Sequence, residues 1–193
     1  MARAGLTPDR VVRAGAELAD DIGFAELTAS QLARHLGVKV PSLYTHVGGT
    51  HDLRTRVALL ALAELADLAA LAVAGRSGKA ALTALGGTYR DYAAAHPGRY
   101  AATRMRLDHE TALASAGPRH AALTRAILRG YQLPEAEQNH AVRLIGSVIH
   151  GYIDLESAGG FAHSSPDSTT SWLRALDALD VALRAWPTPS DER

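Results

Sequence analysis

The chain contains no cysteine, which excludes disulfides, thiolate metal sites and cysteine nucleophiles, and fits a reducing compartment. No charge of one sign dominates: Lys+Arg and Asp+Glu are both 20, so any attraction to nucleic acid or an anionic membrane has to be local. No apolar run approaches the roughly 18 residues of a membrane span, and the opening "MARAGLTPDRVV" lacks the apolar core of a signal peptide. A cytoplasmic protein with no membrane partner is expected. Aromatic residues are only 5% of the 193 positions. What is present in quantity is Ala, Leu and Val, recurring at spacings of three and four rather than two, the pattern of helices. The fold class read from this is all-α, with length enough for one domain or two small ones.

Thr7-Pro8 opens the first predicted helix as N-cap and first-turn proline, and the stripe Val11, Val12, Ala14, Gly15, Leu18, Ala19, Ile22 runs to Gly23. In "LTASQLARHLG", Thr28 and Gln31 form a capping-box pattern, with Leu32, Ala33 and Leu36 on the buried side until Gly37. A second short helix is predicted from Val40 to about Val47, and two short helices joined by a glycine-started turn make a helix-turn-helix pattern. After Gly48-Gly49, Thr50 is predicted to cap a long helix over 51–74. Further helices are predicted near 79–95, 98–107, 118–132, 135–158 and 168–186, about nine in all, with a Gly/Ser-rich loop over 159–167 and a tail expected to fray beyond Pro187.

The stretch "VKVPSLYTHVGG" concentrates hydrogen-bonding groups that are sparse elsewhere. Val40, Leu43 and Val47 fall on one helical face, while Lys39, Ser42, Thr45 and His46 lie away from it, and Tyr44 can donate its hydroxyl to a phosphate. A recognition helix needs that division: an apolar side for the bundle and a polar side for the major groove. Short amphipathic helices also occur in proteins that never touch DNA. Charge adds little, since residues 1–60 carry seven cations against six acids, a net of +1.

The run "LTPDRVVRAGAELADDIGFAELTASQLARHLGVKVPSLYTHVGGTHDLRTRV", roughly residues 5–58, resembles the N-terminal domain of TetR-family one-component transcriptional repressors. It shares a helix ending in Gly-Phe, the second helix "LTASQLARHLGV", the recognition segment "PSLYTHV" and a following "HDL". The resemblance implies a three-helix DNA-binding domain over 1–49, and a helical ligand-binding and dimerisation domain over 50–193 with the helix 51–74 as connector. It implies groove contacts from Lys39, Pro41, Ser42 and Thr45, and phosphate contacts from Tyr44 and His46. Thr28 and Ser30 at the start of the second helix would also meet phosphate. The family commonly has lysine where this chain has His51, so that contact is expected to be weaker and to depend on pH near neutrality. The implied partners are a double-stranded DNA operator, a small-molecule effector and a second copy of the chain.

"DYAAAHPGRYAATRM" and "GSVIHGYIDLESAGGF" resemble a C-terminal subgroup of that family named for a Trp-His-Gly motif, although Trp172 and Trp186 both lie in the last helix. Candidates to line an effector cavity are Tyr89, Tyr92, Arg104, Met105, His109, His150, Tyr152 and Trp172, aromatic and polar groups spread along the C-terminal helices. Apolar positions on the last two long helices include Val142, Ile145, Ile149, Ile153, Leu173, Leu176, Leu179 and Leu183; some of them exceed what one bundle needs to bury, and the family pairs the corresponding helices in a homodimer.

Six of the nine histidines follow residue 95, but no two of them are three or four apart, and "HETAL" has leucine where a zinc-protease helix needs its second histidine. No metal, cofactor or catalytic residue is assigned. The alternative is a helical small-molecule-binding protein or enzyme without DNA binding, drawing on Asp108, His109, Glu110, His150, Asp154 and Glu156; no nucleophile and base among them stand at a diagnostic spacing. A module that has lost DNA binding is a third reading.

Overall fold

The computed structural model describes residues 6–187, and the tail expected to fray after Pro187 lies outside them. Among the described residues there are ten α-helices and no strand. They are α1 (Pro8–Ile22), α2 (Ala29–Leu36), α3 (Val40–Leu43), α4 (Thr50–Val73), α5 (Gly78–Ala95), α6 (Pro97–Ala102), α7 (His109–Ala114), α8 (Gly117–Leu128), α9 (Glu135–Ser157) and α10 (Ser168–Arg184), with single 3-10 turns at Phe24–Glu26 and Arg129–Tyr131. The helix beyond the nine predicted is α7. Its six residues are too few for an apolar period, yet it is capped by Asp108, whose carboxylate accepts from the Thr111 N–H at 3.0 Å.

By packing, the chain falls into two compact units, one running to Leu65 and taking in Tyr92–Gly117, the other formed by Ala66–Asp91 and the chain from Pro118 onward. The first unit holds the head. Val11, Leu18 and Ala19 of α1, Leu32 and Ala33 of α2, Leu43, Val47, and Leu53, Val57 and Ala61 of α4 form one buried cluster with Ala102 of α6. Helix α6 lies against α1 so closely that a Cβ on Gly98 would fall 1.9 Å from the Ala19 carbonyl oxygen. Only glycine allows that approach. The same contact is polar at its edge: Asp20 Oδ1 accepts from the Arg99 N–H at 2.8 Å, at the N-terminal turn of α6 where a carboxylate is favourable.

The second unit is built on α9 and α10. Ile145, Ile149 and Ile153 of α9 and Trp172, Leu176, Leu179 and Leu183 of α10 are all buried. The small face of α5 admits Trp172, whose ring would lie 3.0 Å from a Cβ at Gly86. Most of the apolar positions named on these helices are used by this one bundle, and Leu173 is left exposed. Ile145, Ile149, Ile153, Leu176, Leu179 and Leu183 are this chain's own core, and the large apolar side chains exposed on these helices are Leu173 with Val181 on α10 and Leu144 and Leu155 on α9. Period alone marks an apolar stripe but not which edge of it the bundle covers.

No described helix is long and apolar enough to cross a membrane. No group of three or more His, Cys, Asp or Glu able to hold a metal is present among the described residues.

Candidate nucleic-acid interface and ligand cleft

The predicted recognition segment begins where α2 is stopped by Gly37. That residue sits in the left-handed region at φ 65°, and the next N–H, of Val38, donates back to the Ala33 carbonyl at 2.9 Å. Lys39 is extended, and Pro41 lies in the first turn of α3, where its missing N–H is not needed. The α-helix proper ends at Leu43, one turn short of the Val47 predicted. Tyr44 to His46 continue as turns tied by His46 N–H and Val47 N–H, both donating to the Leu43 carbonyl at 2.8 and 2.9 Å. Gly48-Gly49 and the β-branched Val40, Thr45 and Val47 weaken a helix of this length.

The division of faces is nonetheless the one predicted. Leu43 and Val47 are 0% and 2% exposed in the head core, and Lys39, Pro41, Ser42, Tyr44 and Thr45 are exposed, with His46 half-buried. Tyr44 stands 56% exposed. The Thr45 hydroxyl donates to the Ser42 carbonyl at 2.9 Å, leaving its oxygen as an acceptor.

Around this edge the head is braced by the start of α4. The Thr50 hydroxyl, predicted as a cap for its own helix, accepts from the Ala29 N–H at 3.1 Å and so ties α2 to α4. The Asp52 carboxylate accepts from the Gly48 N–H at 2.7 Å and from Arg56 Nε at 3.0 Å. Arg54 donates to the carbonyls of Leu27 at 2.8 Å and Ala25 at 2.5 Å. Apart from the Asp52–Arg56 pair one turn apart on α4, this brace was not visible in the sequence, because its other bonds involve backbone groups that no residue type marks. Thr28 accepts from the Gln31 N–H at 3.2 Å and donates to Gln31 Oε1 at 2.9 Å, so its hydroxyl is committed within the cap. Ser30 and His51 are exposed.

In the second unit a cleft of about 180 Å³ is lined by Leu85 and Tyr89 of α5, His120, Ala121 and Thr124 of α8, and Val142, Ile145, Gly146, Ile149 and His150 of α9. Of the eight cavity candidates, Tyr89 and His150 are in this lining. Their rings meet edge-on at 5.7 Å, and Tyr89 also meets the His120 ring edge-on at 5.8 Å, its hydroxyl 2.5 Å from His120 Nδ1. His120 and Thr124 are not among the eight candidates, since neither stands in a motif. Burial pushes the Tyr89 hydroxyl well above its ordinary pKa, so it stays protonated.

Tyr152 and Trp172 come together elsewhere in that unit, ring centroids 5.0 Å apart, with Phe161 4.8 Å from Tyr152. Arg90 stacks over Trp172 and forks onto the Glu156 carboxylate at 2.8 and 2.6 Å. Tyr92, Arg104, Met105 and His109 belong to the first unit. Tyr92 donates to Glu64 Oε2 at 3.0 Å, Arg104 lies 4.8 Å over the Tyr100 ring, Met105 packs on the head core, and His109 is exposed at the start of α7.

Residues 82–179 match the family model described as the tetracyclin repressor-like C-terminal domain. The HTH-type transcriptional regulator Rv0681 of Mycobacterium tuberculosis is 35% identical over 158 residues, 81% of this chain and 72% of the relative. The HTH-type transcriptional regulator YobS of Bacillus subtilis is 30% identical over 184 residues, 95% of this chain and 92% of the relative. The chain belongs to the TetR family.

As a TetR-family protein it is a DNA-binding helix-turn-helix transcription regulator. Its fold is shared with the TetR variant from Acinetobacter baumannii AYE solved in complex with minocycline, with a TM-score of 0.71 and 18% identity over 95% of this chain and 99% of that one. Chemically, α3 and the turn after it offer a duplex one cation, three hydroxyls and an imidazole on an otherwise apolar support. The cleft offers imidazole and hydroxyl groups in an apolar wall.

Proposed function

We propose that this protein is a homodimeric repressor that acts in the cytoplasm on a pseudo-palindromic operator and is released from it by a small molecule. The DNA-reading part is residues 1–49, with residues 50–193 serving effector binding and dimerisation. Lys39, Pro41, Ser42 and Thr45 read the groove, Tyr44 and His46 fix phosphate register, and Ser30 and His51 meet the flanking phosphates through their side chains, with Thr28, its hydroxyl held in the cap, contributing through the main chain. The observation that carries this reading is the segment after Gly37. It sinks Leu43 and Val47 into the core and turns Lys39, Pro41, Ser42, Tyr44 and Thr45 outward, the division a major-groove reader needs. Because residues 1–60 net only one positive charge, a single copy binds weakly, and two DNA-reading parts about 34–36 Å apart are needed to reach successive grooves.

The exposed Leu144, Leu155, Leu173 and Val181 support a two-fold pairing of α9 and α10. Helix α5 supports a route for release. It carries Tyr89 in the cleft of one unit and Tyr92 in the other unit, where the segment that follows becomes α6, packed on α1. An effector that prefers one arrangement of α5 then shifts the population of head positions by as much as its affinity differs between the two. The minocycline bound by the Acinetobacter relative supports a bundle able to hold a small molecule and, at 18% identity, not that compound here. The test is a mobility-shift assay on a selected operator, titrated with compounds that raise the melting temperature. Release by at least one of them is expected; if every stabilising compound leaves operator binding unchanged, ligand release is wrong.

A further inference from the structure

The cleft among α5, α8 and α9 has a size and a polarity that narrow what it takes. We propose that it binds a single-ring phenol or a similarly compact apolar alcohol, with the ligand's one hydroxyl meeting the Tyr89, His120 and His150 edge. The proposal deepens the effector reading above by naming the ligand's chemical class.

Size comes first. At about 180 Å³ the cleft is slightly larger than the roughly 150 Å³ apolar cavity that holds benzene, and well below the roughly 300–1,000 Å³ of pockets for drug-sized molecules. One ring with a substituent fits, and three fused rings do not. Charge comes second. No Lys, Arg, Asp or Glu is in the lining, so an amine or a multiply charged anion would lose its hydration against apolar walls with no opposite charge to meet. Hydrogen bonding comes third. Leu85, Ala121, Val142, Ile145 and Ile149 cover the wall, and the polar groups, Tyr89, His120, Thr124 and His150, are hydroxyls and imidazoles. A ligand hydroxyl both donates and accepts, and a neutral imidazole does the same, so the pair forms without a change of charge. Tyr89 and His120 already display that chemistry, a phenol oxygen 2.5 Å from Nδ1 with the phenol held protonated by burial.

Gly146 gives the test its handle. It lines the cleft from the interior of α9, and a Cβ there would meet only the His150 ring, at 4.0 Å. A larger side chain at 146 grows into the cleft instead of into backbone, and replacing a mid-helix glycine favours the helix. Gly146→Leu is therefore expected to fill the site while leaving the melting temperature unchanged or higher.

Full-length protein is titrated calorimetrically with phenol, toluene, benzylamine and a hydroxylated three-ring compound, using wild type, Gly146→Leu, Tyr89→Phe and, as a control outside the lining, Gly87→Ala. Phenol is expected to bind wild type and Gly87→Ala saturably, toluene at least tenfold more weakly, and the amine and three-ring compound not at all. Gly146→Leu loses phenol, and Tyr89→Phe weakens it toward the toluene level. Equal affinity for phenol and toluene, preferred binding of benzylamine, or phenol binding retained in folded Gly146→Leu overturns the proposal. Operator affinity measured in parallel separates the two readings. Phenol that binds as described without changing operator affinity upholds the cleft's ligand class and removes the effector role. Operator release by other compounds with no phenol binding does the reverse.

Discussion

Replacing Gly98 by alanine probes the contact on which the head is mounted. Gly98 is buried at the second position of α6, and an added Cβ would lie 1.9 Å from the carbonyl oxygen and 2.1 Å from the carbonyl carbon of Ala19, and 2.6 Å from the amide nitrogen of Asp20. All three are backbone atoms of α1 and cannot rotate away, so α6 has to retreat by about 1.5 Å to reach ordinary contact distance. That retreat breaks the 2.8 Å bond from the Arg99 N–H to Asp20 Oδ1 and lengthens the ion pair from Arg99 Nε to Asp20 Oδ2, now 3.0 Å. Overpacking of this kind costs about 1–3 kcal/mol and loss of a hydrogen bond to a charged group about 1.5–3. Alanine returns about 0.5–1 kcal/mol through helix propensity. The net is about 3 kcal/mol, a fall in melting temperature of about 6–12 °C for a chain of this length. Gly87→Ala is the control. It sits inside α5 with nothing within 4 Å of an added Cβ and is expected to be neutral or slightly stabilising. Melting both variants by circular dichroism at one protein concentration decides the matter. If Gly98→Ala melts within about 2 °C of wild type, the close approach of α6 to α1 is not a structural determinant and the reasoning fails.

Three further outcomes follow from the same geometry. Leu173→Glu with Val181→Glu places charges on side chains 51% and 64% exposed, so size-exclusion chromatography with light scattering should give a folded monomer in place of a dimer. The Glu156 carboxyl is held below its ordinary range chiefly by the Arg90 hydrogen bonds, and that of Asp180 is held low because Arg184 and Tyr131 outweigh the opposing effect of its burial. Carboxyls lowered in the folded state stabilise it above their unfolded pKa and lose that stabilisation as pH falls through the folded value, so the melting temperature should drop below about pH 4, and less steeply in Asp180→Asn. His51→Lys adds a permanent cation at an exposed position and should tighten operator binding and steepen its logarithmic salt dependence by about 1.

Much of this was legible in the residues because local chemistry and tertiary packing agree there. Thr7, Thr28 and Gly37 end or begin helices where predicted, since capping is a local preference that the tertiary structure has no reason to override. The polar and apolar faces of 39–47 were legible for the same reason, though not the length of α3, which depends on the turns holding Tyr44 to His46. Which of the cavity candidates come together was less legible. Met105 is half-buried against the core of the first unit, Tyr152 and Trp172 form a cluster fastened by Arg90 and Glu156, and of the eight only Tyr89 and His150 line the cleft. Aromatic and polar residue types are shared by cavities, caps and ordinary packing, and long-range contacts sort them. His120 illustrates the converse, a cleft residue with no neighbour in sequence that marks it.

The central claim is that the exposed edge of α3 reads a specific duplex. Fluorescence anisotropy on a selected operator and a scrambled duplex between 50 and 200 mM salt tests it most directly, comparing wild type with the Lys39→Ala, Tyr44→Ala double variant. Wild type should prefer the operator by about a thousandfold or more, and the variant should lose most of that preference, with a shallower salt slope. Equal affinity of both proteins for both duplexes at every salt concentration would contradict the account.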